Sequence, residues 1–129
     1  MTIAYRSLPG TGASVGTAGA HSIIADRPMG KAGGTGLGFN GGELLALALG
    51  GCLCNDIHYV ADEMGLTVTD LQVTASVDFG GEPLIARAAR MTVDCKLEDG
   101  GDTSELIARA KARSAIANSV RAGIPVTIE

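Results

Sequence analysis

Aromatic side chains are scarce: two Tyr, two Phe and no Trp make an aromatic share of 3%. The core must therefore be built from Leu, Ile, Val, Ala and Met, side chains that favour close helix packing. Basic residues are outnumbered, 10 Lys and Arg against 14 Asp and Glu, and no stretch of the chain carries a Lys/Arg stripe. A formal charge of -4 without a basic cluster excludes a general phosphate-backbone binder, so no nucleic-acid partner is expected. Cysteine is limited to three residues, an odd number that makes no disulfide framework and reads as reduced thiols. Long apolar runs are missing as well. The longest, residues 44–54, is about half of the ~20 residues a bilayer span needs, and MTIAYRSLPG lacks the apolar centre of a signal peptide. A soluble, cytoplasmic protein with no membrane partner is expected.

What the sequence does hold is one stretch around which the rest can be organised, residues 38–65, GFNGGELLALALGGCLCNDIHYVADEMG. From residue 43 to 64 it has no proline and reads as one long helix, which at about 1.5 Å per residue spans roughly 33 Å. Leu44, Leu45, Leu47, Leu49 and Leu53 leave its first half without a polar face, so that half is expected to be covered on all sides. Asn40 or a neighbouring glycine suits the cap, Glu43 the positive end of the helix dipole, and Gly65 the stop. Gly50 and Gly51 each cost about 1 kcal/mol against alanine in a helix, which points to close approach of another backbone.

Around that helix the chain reads as strands at 2–6 and 14–25, forming an N-terminal hairpin, and a glycine-rich loop over 26–42. The loop's spacing fits neither the P-loop nor a dinucleotide fingerprint, and a flexible lead-in to the helix is the better reading. Residues 66–79 alternate apolar and polar side chains, 80–83 make a turn, and 85–97 follow as a second strand. Thr103 and Ser104 open a second helix that runs to about Ala122, Gly123 and Pro125 end it, and 124–128 read as a last strand. Neither repeats nor linkers occur. The order is α+β, with antiparallel sheets, two main helices and a single domain over residues 1–129.

Cys52 is the leading chemical candidate, because a thiolate can attack a peroxide oxygen. It lies in the third turn of the helix, too far from the N-terminus for full benefit of the dipole, so an activating cation must come from elsewhere. Asp56, one turn further on, opposes thiolate formation if it lies close. Cys54 points about 200° away from Cys52 around the helix, and Cys95 sits on the apolar face of a strand, where a thiol is usually structural. Cys54 and His58 share a helical face but have only Asp62 as an obvious further ligand, so neither a metal nor another cofactor is expected. No G-x-S-x-G, H-E-x-x-H or C-x-x-C motif is present.

The run from His21 to Cys52, HSIIADRPMGKAGGTGLGFNGGELLALALGGC, resembles the H-x4-D-x-P, glycine-rich loop, N-P-x-E-L-L, apolar helix, cysteine arrangement of the OsmC/Ohr family, the osmotically inducible and organic hydroperoxide resistance proteins. The resemblance implies an OsmC-like fold in which two subunits intertwine as a homodimer with the central helices buried at its core. It also implies that Cys52 attacks hydroperoxides and that Glu43 matches the glutamate of the family's helix start. The match departs in four places. Gly41 replaces the proline, and Gly42 stands where the hydroperoxide-resistance branch carries its glutamate. Ser114 in RSAIANSVRAG occupies the position of the second, resolving cysteine, with Arg121 at the later arginine. Residues 11–20 hold no charge, so Arg27 or Arg6 would have to take the part of the early-strand arginine.

Two functions follow as expectations. One is a thiol-dependent hydroperoxide reductase acting in oxidative stress defence through Cys52, with Glu43 as a catalytic partner and Arg27, Arg121 and Ser114 in support. It would use a peroxide substrate and an external thiol as reductant. The other is a non-enzymatic dimer that binds a small hydrophobic ligand.

Overall fold

Short runs of small and β-branched residues, separated by turn formers, build the first sheet. The computed structural model describes residues 1–129, which cluster as two units, Met1–Leu44 and Leu45–Glu129. In the first, β1 (Ala4–Ser7), β2 (Ser14–Ala18) and β3 (His21–Ala25) pair antiparallel in the order β1-β2-β3. The strand expected over 14–25 is thus itself a hairpin: Ala18 pairs with His21, leaving Gly19 and Ala20 as a two-residue turn. Gly19 takes φ +59, the value that the first position of such a turn demands. Ala20, which is not a turn former, masks the signal.

The glycine-rich loop is held by its own carboxylate and is not the flexible lead-in expected. Asp26, 7% exposed, accepts hydrogen bonds from the N–H of Arg27 (2.8 Å), Thr35 (3.0 Å) and Leu37 (3.1 Å) and from the Thr35 hydroxyl (2.8 Å). The Leu37 N–H first, then the Thr35 hydroxyl, hold the Asp26 carboxyl well below the usual carboxylate range. These N–H groups already bind an anion, and it belongs to the chain. Beyond them, Phe39 N–H donates to Ile24 O (3.0 Å) and Asp26 N–H to Phe39 O (3.0 Å), which ties the loop's end to β3. A Cβ at Gly38 would lie 2.2 Å from Ile24 O, so only glycine permits this approach.

The loop delivers the chain into α1 (Gly41–Glu63) through a reciprocal cap. Asn40 Oδ1 accepts from the N–H of Gly42 (2.9 Å) and Glu43 (3.0 Å), and Glu43 Oε2 accepts from the N–H of Asn40 (2.8 Å). At the far end Leu66 N–H donates to Ala61 O (2.8 Å) and Gly65 N–H to Asp62 O (3.0 Å), closing α1 in a Schellman motif. By length and composition α1 would suffice to cross a bilayer. Here Leu53, Ile57, Val60 and Ala61 bury one stripe of it in protein.

In the second unit β4 (Val68–Gly80) and β5 (Ile85–Leu97) pair antiparallel. Val68 faces Leu97 and Asp70 faces Lys96, so Thr69 is an extra residue in β4. That bulge is why the apolar alternation steps from Val68 to Leu71. A second shift at Asp78/Phe79, where Arg87 is the extra residue in β5, lies towards the turn end of the hairpin, and Phe79 there is 44% exposed. The core gathers the α1 stripe with Leu97, Leu106 and Ala110, flanked by Leu71, Val73, Met91, Val93 and Cys95. Each such Leu, Ile or Val fully buried contributes about 1.5–3 kcal/mol.

Four further expectations change. In the single chain the buried residues of α1 run from Leu49 to Ala61, and Leu47, nearer its start, is 48% exposed, because the chain's own sheet and helices cover only one side of it. Gly50 lies against the side chains of Ala75 and Val73 rather than a backbone, and a Cβ on Gly51 would meet nothing within 4 Å. The second helix is broken into α2 (Ser104–Arg113) and α3 (Ala115–Ala122) at Ser114, whose ψ of 103 is not helical. There Asn118 Nδ2 donates to Ala112 O (3.0 Å), one of the carbonyls that the break frees. Residues 124–129 form no strand, since no neighbouring strand of the chain takes their hydrogen bonds, and Ile124, Val126 and Ile128 are 66%, 78% and 93% exposed.

Candidate active site

Helical spacing puts Cys52, Asp56, Tyr59 and Glu63 on one face of α1, at i, i+4, i+7 and i+11. The Cys52 thiol, half-buried, donates to Asp56 Oδ2 at 3.4 Å. From the other side the Ser114 hydroxyl donates to Cys52 Sγ at 3.7 Å, ordinary for a large sulfur acceptor. Ser114 is 1% exposed, and this contact explains why a hydroxyl is tolerated so deep at the α2–α3 break. The sulfur thus sits in a chain of three polar groups, hydroxyl to thiol to carboxylate.

Arg113, the residue before Ser114, closes the same face by donating to Glu63 Oε1 at 2.7 Å. The hydrogen bond and charge of Glu63, with smaller contributions from Asp56 and Tyr59, hold the Arg113 guanidinium above its ordinary value. Asp56 and Arg113 are the members that the sequence reading left out of the site. The signal was there: a carboxylate four residues after the cysteine, another seven beyond that, and an arginine beside the serine.

The structure brings two of the expected site residues together, Cys52 and Ser114. Glu43 has its carboxylate engaged in the helix cap. Arg27 donates to Gly12 O (3.0 Å) and lies 3.4 Å from Asp26. Arg121 donates to Asn118 Oδ1 (2.6 Å) and lines a groove beside the site. Cys95 packs against the core, where burial first, then the charges of Asp94 and Asp70, push its thiol above the ordinary value. That is the environment of an inert structural thiol.

The groove has a volume of about 280 Å³ and lies between α1, the sheet and α3. Its walls include Leu45, Leu49, Met91 and Val120, with Arg87 and Arg121 as its charged groups. Leu49 stands one turn before Cys52 on α1 and Ala117 one turn after Ser114, while Cys52 and Ser114 themselves do not line the groove.

This fold and site have relatives. Residues 34–129 match the profile of the family described as OsmC-like protein, and the chain belongs to that family. No curated protein matches it. An OsmC-like protein from Mycoplasma pneumoniae is similar in structure with a TM-score of 0.78 at 16% identity, over 95% of this chain and 87% of that one. An organic hydroperoxide resistance protein from Elizabethkingia anophelis, with thiocyanate bound, gives 0.70 at 20% identity, over 98% and 92%. The organic hydroperoxide resistance protein OsmC of Legionella pneumophila gives 0.61 at 21%, over 98% and 94%. Likeness at these identities speaks for the α+β OsmC-like fold alone.

Proposed function

We propose that this chain, acting as one OsmC-like domain, is a one-cysteine hydroperoxide reductase of the cytoplasm. The observation that carries the reading is the placement of the Cys52 sulfur between the Ser114 hydroxyl and the Asp56 carboxylate. An inert core cysteine has no need of two polar partners. The sulfur of Cys52 attacks the outer oxygen of a hydroperoxide, the O–O bond breaks, an alcohol leaves, and a sulfenic acid remains. Ser114 offers no thiol to resolve it. Cys54 points about 200° away around α1 and Cys95 is packed against the core. Two equivalents of an external thiol therefore complete the cycle: the first displaces water to give a mixed disulfide, the second releases Cys52 and a free disulfide.

Wild type and Cys52→Ser, each treated with one equivalent of cumene hydroperoxide, test this. Loss of peroxide together with one added oxygen on Cys52, absent in the variant, is the expected result. Equal peroxide consumption by both would overturn it.

A homodimer belongs to the same proposal. Leu47, Tyr59, Leu84 and Ile85 are 48%, 61%, 71% and 56% exposed in the single chain, apolar side chains that a partner surface would cover. A second copy of the chain is the occupant the resemblance implies. Sedimentation equilibrium at micromolar protein should give twice the mass of the chain, and a monomer would remove this part of the reading.

The groove favours a second reading, a binder of a small hydrophobic ligand with an anionic end for Arg87 and Arg121. Saturable binding of such a ligand to a chain whose Cys52 resists peroxide would support it in place of the first.

A further inference from the structure

Attack by a thiol on a hydroperoxide moves a proton as well as electrons. The sulfur must shed its proton, and the departing alkoxide, a strong base, must gain one before or as the O–O bond breaks. Within hydrogen-bond distance of Cys52 there are two polar side chains, and only one of them ionises readily. Ser114 donates its hydroxyl proton toward the sulfur, which suits it to steady a thiolate. Asp56 Oδ2 already receives the S–H. Arg113 lies further along the same face, its charge paired with Glu63 rather than with the sulfur.

We propose that Asp56 is the proton shuttle of this site, taking the proton from Cys52 Sγ and giving it to the leaving oxygen. The inference rests on the hydroperoxide-reductase reading above. In the step, the S–H bond breaks toward Asp56, the S–O bond forms as the O–O bond breaks, and protonated Asp56 passes its proton to the alkoxide. Sulfur loses two electrons, the peroxide gains two, and the products are the Cys52 sulfenic acid and an alcohol, with Asp56 ionised again. A carboxylate otherwise only disfavours a thiolate beside it. A relay gives its position one turn from the sulfur a use.

Leaving-group chemistry separates a relay from a bystander charge. Cys52 oxidation is timed in wild type, Asp56→Asn and Asp56→Glu with tert-butyl hydroperoxide, which expels an alkoxide, and with peracetic acid, which expels a weakly basic carboxylate. Iodoacetamide, which needs no protonated leaving group and draws on thiolate formed by proton exchange with water, is the third reagent. Asp56→Asn should slow the tert-butyl hydroperoxide reaction by at least about tenfold, leave the peracetic acid and iodoacetamide rates unchanged or faster, and regain part of the loss in Asp56→Glu. A rate with tert-butyl hydroperoxide that stays the same or rises in Asp56→Asn overturns the proposal, as does an equal loss with all three reagents in both variants. A wild type that reacts with iodoacetamide but never with tert-butyl hydroperoxide sinks the reductase reading itself, a different outcome from either.

Discussion

Ser114 holds its hydroxyl 3.7 Å from the sulfur of Cys52 across 62 residues of sequence. The position that the family resemblance assigns to a second cysteine is therefore in contact with the first one, and here it carries oxygen instead of sulfur. Ser114→Cys places a thiol against Cys52 with only the small shift that a bond of about 2.05 Å requires. After one equivalent of peroxide, the variant should lose two hydrogens by mass and fail to react with dimedone, whereas wild type should take up dimedone. A variant that still accumulates sulfenic acid would mean that the α2–α3 break holds the two side chains apart.

Glu43 looked like a partner for the thiol, and its geometry gives it another task. Its carboxylate accepts from Asn40 N–H while Asn40 caps Gly42 and Glu43, a box that glutamine fills equally well. Glu43→Gln should leave both Tm and the rate of Cys52 oxidation close to wild type. Glu43→Ala should lose about 0.3–1.5 kcal/mol of stability in urea titration. A Gln variant of normal stability that oxidises more than tenfold slower would return Glu43 to the chemistry.

Much of this was legible in the chain. The long helix and the alternating hairpin follow from the spacing of one residue to the next, and the serine at the second-cysteine position is what the family resemblance implies. Ala20 hid a turn, because only the preceding glycine takes the left-handed value and the second position accepts any residue. The break at Ser114 was invisible because RSAIANSVRAG contains neither glycine nor proline before Gly123. It is set by burial of a hydroxyl against Cys52, a contact from a distant helix. The order of the glycine-rich loop was missed for a similar reason: one buried carboxylate, Asp26, gathers N–H groups from up to eleven residues away. Composition reports freedom of the backbone and is silent on what restrains it.

The core stripe predicts where stability resides. Ile57 is 0% exposed and stands among Leu53, Leu106 and Ala110. Ile57→Ala removes three carbons from a site enclosed by α1 and α2, and the loss should be about 2–5 kcal/mol. Urea denaturation should show a lower midpoint with an unchanged slope. A loss under about 1 kcal/mol would mean that the surrounding helices collapse into the space.

Asp26 predicts how the protein fails in acid. In the folded chain its carboxyl is held well below the usual range, first by the Leu37 N–H and then by the Thr35 hydroxyl. In the unfolded chain it titrates near the ordinary value of about 3.9. The unfolded state therefore binds the proton first as pH falls, so the contribution of Asp26 is complete at neutral pH and declines from about pH 4 downward. Asp26→Asn lacks that titration, and its amide sets an N–H₂ group against donors that the carboxylate satisfied. The variant should melt several degrees lower at pH 7, and its Tm should fall less steeply than that of wild type between about pH 5 and pH 2, so that the two curves converge in acid. Parallel curves would place the acid sensitivity in other carboxylates and leave Asp26 as a hydrogen-bond acceptor whose charge is immaterial.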